Sequence, residues 1–225
     1  MRKTAPVLLL SALFPLACVT GAQRPEAGPE PRQESPEPDT ASGLIPAGYG
    51  TLLQDQISIR LRRGDLLIKI TPLVEEITRL TAPDTYERLR GLATVHGPRA
   101  RRNAGIPDPS LFLVSLFSYQ PDVTYEPEDL LLVNQGLRLR PQGIAPITPA
   151  WGTQRLGQQE TRMAVYAFGR EIEWEQDLVA EYQELRNEGW RDRVVPLLEA
   201  ERAKVRARAG GGSQSSSKPY FLILR

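Results

Sequence analysis

Residues 125–151, YEPEDLLLVNQGLRLRPQGIAPITPAW, restrict the fold more than any other part of the chain. Two short apolar runs, 130–133 and 137–139, flank Asn134-Gln135-Gly136. Gly136 supplies the positive φ that a tight turn needs, so the pair predicts a β-hairpin. Runs this short cannot bury themselves. They need further strands before and after them in the sequence, which makes this the central hairpin of a β-sandwich. Pro141, Pro146 and Pro149 cannot donate to a ladder, so the chain is expected to leave the sheet there along an edge.

Candidate partner strands lie on both sides. In residues 51–62, Leu53, Ile57, Ile59 and Leu61 share one face with Asp55, while Gln54, Gln56, Ser58, Arg60 and Arg62 share the other. That period of two predicts a strand with one wet face. Asp55 reads either as a buried functional carboxylate or, preferably, as the frayed start of that strand. Arg63-Gly64-Asp65 is a turn signal, and residues 66–71 form a second strand with Leu66, Ile68 and Ile70 inward. Residues 111–119 are apolar almost throughout and read as a strand covered on both faces, with a short buried helix as the alternative. Residues 161–168 and 177–183 supply two more strands, ended by Asn187-Glu188-Gly189.

Two helices complete the expectation. Ala82-Pro83-Asp84 reads as a helix start, Tyr86, Leu89, Leu92 and Ala93 follow at helical spacing, and Gly97-Pro98 ends it just after the single histidine, His96. This short helix would plug one open end of the sandwich. Residues 98–109 are then a loop whose run Arg99, Arg101, Arg102 reads as solvated, or else as a lipid-headgroup patch. Residues 190–209 are helical in composition, with Pro196 kinking or restarting the helix. The fold class expected is mainly β, an antiparallel β-sandwich with one short internal helix and a C-terminal helix, over residues 49–209.

The termini read differently. Residues 1–18 carry Arg2 and Lys3, then an apolar run of leader length that ends at Cys18, the only cysteine. That arrangement resembles the signal peptide of a bacterial lipoprotein, in which the cysteine is acylated and becomes the mature N-terminus. Pro15 departs from the pattern, and Ala22 offers a competing cleavage point for ordinary export. Residues 19–48 are rich in Pro and Glu and hold too few large apolar side chains to offset their ordering entropy, so they read as a disordered spacer. Within it, residues 23–43 at roughly 3 Å per residue would hold the domain about 60 Å from an anchor. Residues 210–225 form a Gly/Ser linker ending in Tyr220-Phe221-Leu222-Ile223-Leu224, which reads as a strand added to a sheet or as a frayed end. The address implied is the cell envelope, lipid-anchored and facing the periplasm or exterior.

Chemistry is thin. Lys plus Arg number 28 and Asp plus Glu 27, so net charge implies no polyanion, and no nucleic-acid partner is expected. One Cys excludes an intrachain disulfide, and one Cys with one His excludes a closed zinc site built from those side chains. No nucleophile, metal or phosphate-loop signature occurs, so neither catalytic residues nor cofactors nor metals are expected. Acidic groups recur at Glu75-Glu76, at Glu126, Glu128 and Asp129, and at Glu171, Glu173 and Glu175. Trp151 and Trp174 either stack on a sugar or peptidoglycan strand or, preferably, seal the ends of the sandwich.

Residues 112–182 resemble the immunoglobulin-like sandwich domains of bacterial surface lipoproteins. The resemblance rests on Val114-Ser115-Leu116-Phe117, Pro127-Glu128-Asp129-Leu130, Gly136 followed by Pro141, and Tyr166-Ala167-Phe168. It implies a binding or scaffold module and not an enzyme. The expected function is therefore a non-catalytic envelope lipoprotein that binds an envelope protein or glycan. Candidate contact residues are Trp151, Trp174, Tyr220 and Phe221, with Cys18 as the lipidation site. The alternative is a periplasmic hydrolase or carbohydrate-active enzyme that uses acidic residues.

Overall fold

The computed structural model describes residues 45–46, 48–169 and 172–211. The leader with Cys18, the segment 19–44, and the tail with Tyr220 and Phe221 lie outside the described residues. Among the described residues no helix is long and apolar enough to cross a membrane.

The alternating segments form two antiparallel sheets. Strands β1 (Ile59–Arg63) and β2 (Leu66–Pro72) make the expected hairpin, with Ile59 opposite Ile70 and Arg63 opposite Leu66. Strand β3 (Ser110–Ser118) pairs with β2, β9 (Thr161–Phe168) with β3, and β7 (Pro141–Pro146) with β9. This gives a five-stranded sheet in the order β1-β2-β3-β9-β7. The second sheet has four strands. Strand β5 (Leu130–Asn134) lies between β6 (Leu137–Leu139) and β10 (Leu178–Tyr182), and β11 (Leu185–Asn187) forms the far edge. A ribbon of β4 (Val123–Thr124) with β8 (Arg155–Leu156) stands apart.

Between the sheets lies one apolar core. Ile68, Ile70, Phe112, Val114, Leu116 and Tyr166 come from the larger sheet, and Leu130, Leu132, Leu178, Ala180 and Tyr182 from the smaller. Full burial of one such aliphatic side chain is worth about 1.5–3 kcal/mol. The hairpin at 130–139 forms as read, with Gln135 at φ 51° and Gly136 at φ 73°, the left-handed pair of a two-residue turn.

Several expectations change. The strand over residues 51–62 shrinks to β1, because Gln54–Gln56 coil into a 3-10 turn. There the Leu53 N–H donates to Gln56 Oε1 (2.7 Å) and Ser58 Oγ to the Gln54 carbonyl (2.6 Å), local bonds that compete with a ladder. Asp55 sits on that turn, half-exposed, paired with Arg60 (2.5 Å) and Lys69 (2.6 Å). The hydrogen bond from Lys69 holds its carboxyl below the usual carboxylate range. The proline segment does not leave the body. It crosses to become β7, the edge strand of the other sheet, where prolines at the strand ends are tolerated.

The internal helix is not short and plugs no end. Helix α2 runs Pro83–Ala104, through Gly97-Pro98, and lies on the outer face of the larger sheet over β7 and β9. A Cβ on Gly143 would stand 2.4 Å from Ala104 N and 2.5 Å from the Ala100 carbonyl, so β7 and the helix backbone touch directly. Burial of Ala100 in this contact and of Gly97 against Leu111 carries the helix past the proline, and Gly97 has no Cβ for the proline ring to strain against. Arg99, Arg101 and Arg102 are thus helical residues, and His96 lies well inside the helix. A four-residue helix, α1 (Glu75–Thr78), precedes it. At the C-terminal end one π-helical turn, Trp190–Val194, leads into α3 (Val195–Gly211), which places Pro196 in the first turn of the α-helix.

Candidate functional site

The last residue of β5 braces the segment that borders the candidate groove. Asn134 ends β5 with its side chain buried at 3% exposure. Its Nδ2 donates to the Glu173 carbonyl (3.2 Å) and the Asp177 carbonyl (3.0 Å), and its Oδ1 accepts the Glu173 N–H (3.1 Å). The segment clamped in this way carries Trp174. Trp190 Nε1 donates to the Trp174 carbonyl (2.8 Å), and the Trp174 ring packs 5.5 Å from Phe112 and 6.0 Å from Trp190. The indole is therefore fixed on the core side and half-buried overall.

Its exposed side lines an open groove of about 840 Å³. Glu75 and Glu76 reach it from α1, Arg101 from α2, and Asp108 and Ser110 from the approach to β3. Three features singled out separately in the sequence, the Glu75-Glu76 pair, the arginine run and Trp174, thus meet here. Asp108 takes φ 48°, a left-handed conformation that nothing in its sequence neighbourhood announces.

Glu75 is held in place. Its Oε1 accepts from Tyr86 Oη and Arg79 Nε, both at 2.6 Å. Burial acts to raise its pKa, but the Tyr86 and Arg79 hydrogen bonds outweigh it and keep the carboxyl below the usual range. The hydrogen bond to Glu75 in turn pushes the Tyr86 hydroxyl up. A carboxyl kept ionised in this way serves as a fixed acceptor and is unsuited to general-acid work near neutral pH. Glu76, Arg101 and Asp108 are exposed and form no ion pair with the described residues. The groove therefore offers a rigid indole face rimmed by hydrogen-bond acceptors and one guanidinium, an arrangement suited to holding a ligand with both apolar faces and hydroxyl groups.

The other expected residues fall elsewhere. Trp151 lies in a 3-10 turn, Pro149–Thr153, at 5% exposure, its ring 5.3 Å from Tyr125 and 6.2 Å from Tyr166. It seals the core. Glu126, Glu128 and Asp129 rim a second concavity of about 450 Å³. The turn that carries them is fixed by tyrosines. Tyr166 Oη donates to the Pro127 carbonyl (2.9 Å), and Tyr182 Oη accepts the Glu126 N–H (3.0 Å). Glu173 and Glu175 flank Trp174, while Glu171 lies outside the described residues. Among the described residues no group of three His, Cys, Asp or Glu side chains is placed to hold a metal ion. Asn134 is the residue that sequence reasoning passed over. In the sequence it reads as turn chemistry alone, and its clamp spans positions far apart in the chain. No known protein family, curated protein or solved structure matches this chain.

Proposed function

We propose that this protein is a non-catalytic binding module of the cell envelope, lipid-anchored through Cys18, whose groove beside Trp174 holds a glycan strand. The observation that carries the reading is the half-buried indole, braced from behind by Phe112 and Trp190 and rimmed by Glu76, Arg101 and Asp108. A pyranose presents an apolar face to the indole and hydroxyls to the rim. Membership of the immunoglobulin-like sandwiches belongs to this proposal, and the two facing antiparallel sheets support it. Such folds host many functions, so the argument rests on the groove. The hydrolytic alternative would draw on Glu75 and Glu76, and the ionised state of Glu75 speaks against it.

The test is co-sedimentation of the mature chain with purified, protein-free envelope glycan. Wild type is expected to pellet, with Trp174→Ala and the exposed pair Glu76→Ala/Arg101→Ala both reduced at least tenfold. Wild type left in the supernatant, or unchanged binding by the exposed pair, overturns the glycan reading. Radioactive palmitate tests the anchor separately. Label is expected on wild type and none on Cys18→Ser.

A further inference from the structure

We propose that the open half of the larger sheet, with the adjoining flank of α2, is a docking face for an anionic lipid surface. Helix α2 covers β7 and β9 and leaves the outer faces of β1, β2 and β3 largely uncovered. On that uncovered part Leu67, Ser115 and Phe117, with Met163 from the start of β9, are only half-buried around a hollow of about 250 Å³. Tyr119 extends the apolar area at 43% exposure, its ring 4.8 Å from Phe117 and under the Arg62 guanidinium. Arg88 and Lys69 line the same hollow, and Arg60 and Arg62 face outward from β1 opposite Lys69 and Leu67.

The helix continues the pattern. Arg88, Leu92, Val95, Arg99 and Arg102 fall at i, i+4, i+7, i+11 and i+14, one stripe along α2. Val95 is 69% exposed on it. Among the described residues, the carboxylate ion-paired with these cations is Asp55, shared by Arg60 and Lys69. Near-neutral net charge therefore conceals a surface on which cations outnumber carboxylates, with apolar and aromatic side chains interleaved among arginines. Cations meet lipid phosphates, while Val95, Phe117 and Tyr119 suit the boundary between headgroups and acyl chains. A polyanion with no apolar layer would leave those three side chains without a partner. This inference is independent of the glycan groove, which lies across α2 on the Arg101 side.

The experiment uses the mature chain purified without its acyl group, so that anchoring cannot contribute. It is floated with phosphatidylcholine vesicles, with and without phosphatidylglycerol, at low and high salt. Binding is expected only with the anionic lipid and should fall as salt rises. Arg88→Glu/Arg99→Glu is expected to weaken it at least about tenfold. Val95→Asp/Tyr119→Ser should also weaken it, whereas Arg140→Glu/Arg193→Glu, the same charge change at exposed sites off this face, should not. All six positions are exposed, and thermal melts confirm that each variant folds. Failure of wild type to float with anionic vesicles overturns the proposal. So does equal loss in the two arginine pairs, which would reduce the effect to net charge, or full binding by Val95→Asp/Tyr119→Ser, which would point to a soluble polyanion.

Discussion

Removing the Asn134 side chain tests the link between the hairpin and the groove. Asn134→Ala deletes the bonds to the Glu173 N–H and to the Glu173 and Asp177 carbonyls at a site 3% exposed. At about 1 kcal/mol for each of the three, the expected loss is about 3 kcal/mol, or roughly 6–12 °C in melting temperature for a domain of this size. Urea unfolding of the protein measures the stability, and glycan co-sedimentation measures the groove. Asn134→Asp sharpens the reasoning. It keeps an acceptor for the Glu173 N–H but sets a carboxylate against two carbonyl oxygens, so its folded-state pKa rises above the unfolded value. Its penalty is full at neutral pH and fades as the pH falls and the new carboxyl protonates. A loss under about 1 kcal/mol for Asn134→Ala, with groove binding intact, would refute the clamp.

Other perturbations follow from contacts elsewhere. Gly143→Ala should destabilise by about 2 kcal/mol or more in chemical unfolding, because the added Cβ meets the α2 backbone at 2.4–2.5 Å, where no flexible side chain can give way. Gln135→Asn should raise the melting temperature, by about 0.5 kcal/mol in stability, since Asn tolerates the φ of 51° better than Gln does. Glu201, 1% exposed on α3, accepts from the Thr51 N–H (2.8 Å) and hydroxyl (2.9 Å) and lies between Arg208 and Lys204. Burial acts to raise its pKa, but the Thr51 and Lys204 partners outweigh it and lower the value. A depressed folded-state pKa means stability that is present at neutral pH and lost as the pH falls through it. Glu201→Gln should therefore cost roughly 3 kcal/mol at neutral pH and progressively less in acid melts. A pH-independent deficit would contradict that.

Sequence by itself determined the pieces whose physics is local. Period-two alternation marked β2, β9 and β10, the unbroken apolar run marked β3, and Asn134-Gln135-Gly136 between Leu-rich runs marked the β5–β6 turn. Each of these patterns is complete within a few residues. Tertiary structure decided whatever depended on close approach between distant segments. Gly97-Pro98 reads as a helix end until Gly143 supplies a surface on which the helix can continue. The prolines after Arg140 read as an exit until β9 offers them an edge. Trp151 and Trp174 looked equivalent in sequence. One closes the core and the other faces a groove, because Asn134 and Trp190 hold the Trp174 segment open. Which side of a tryptophan meets water depends on groups dozens of residues away, and no local pattern of side chains carries that information.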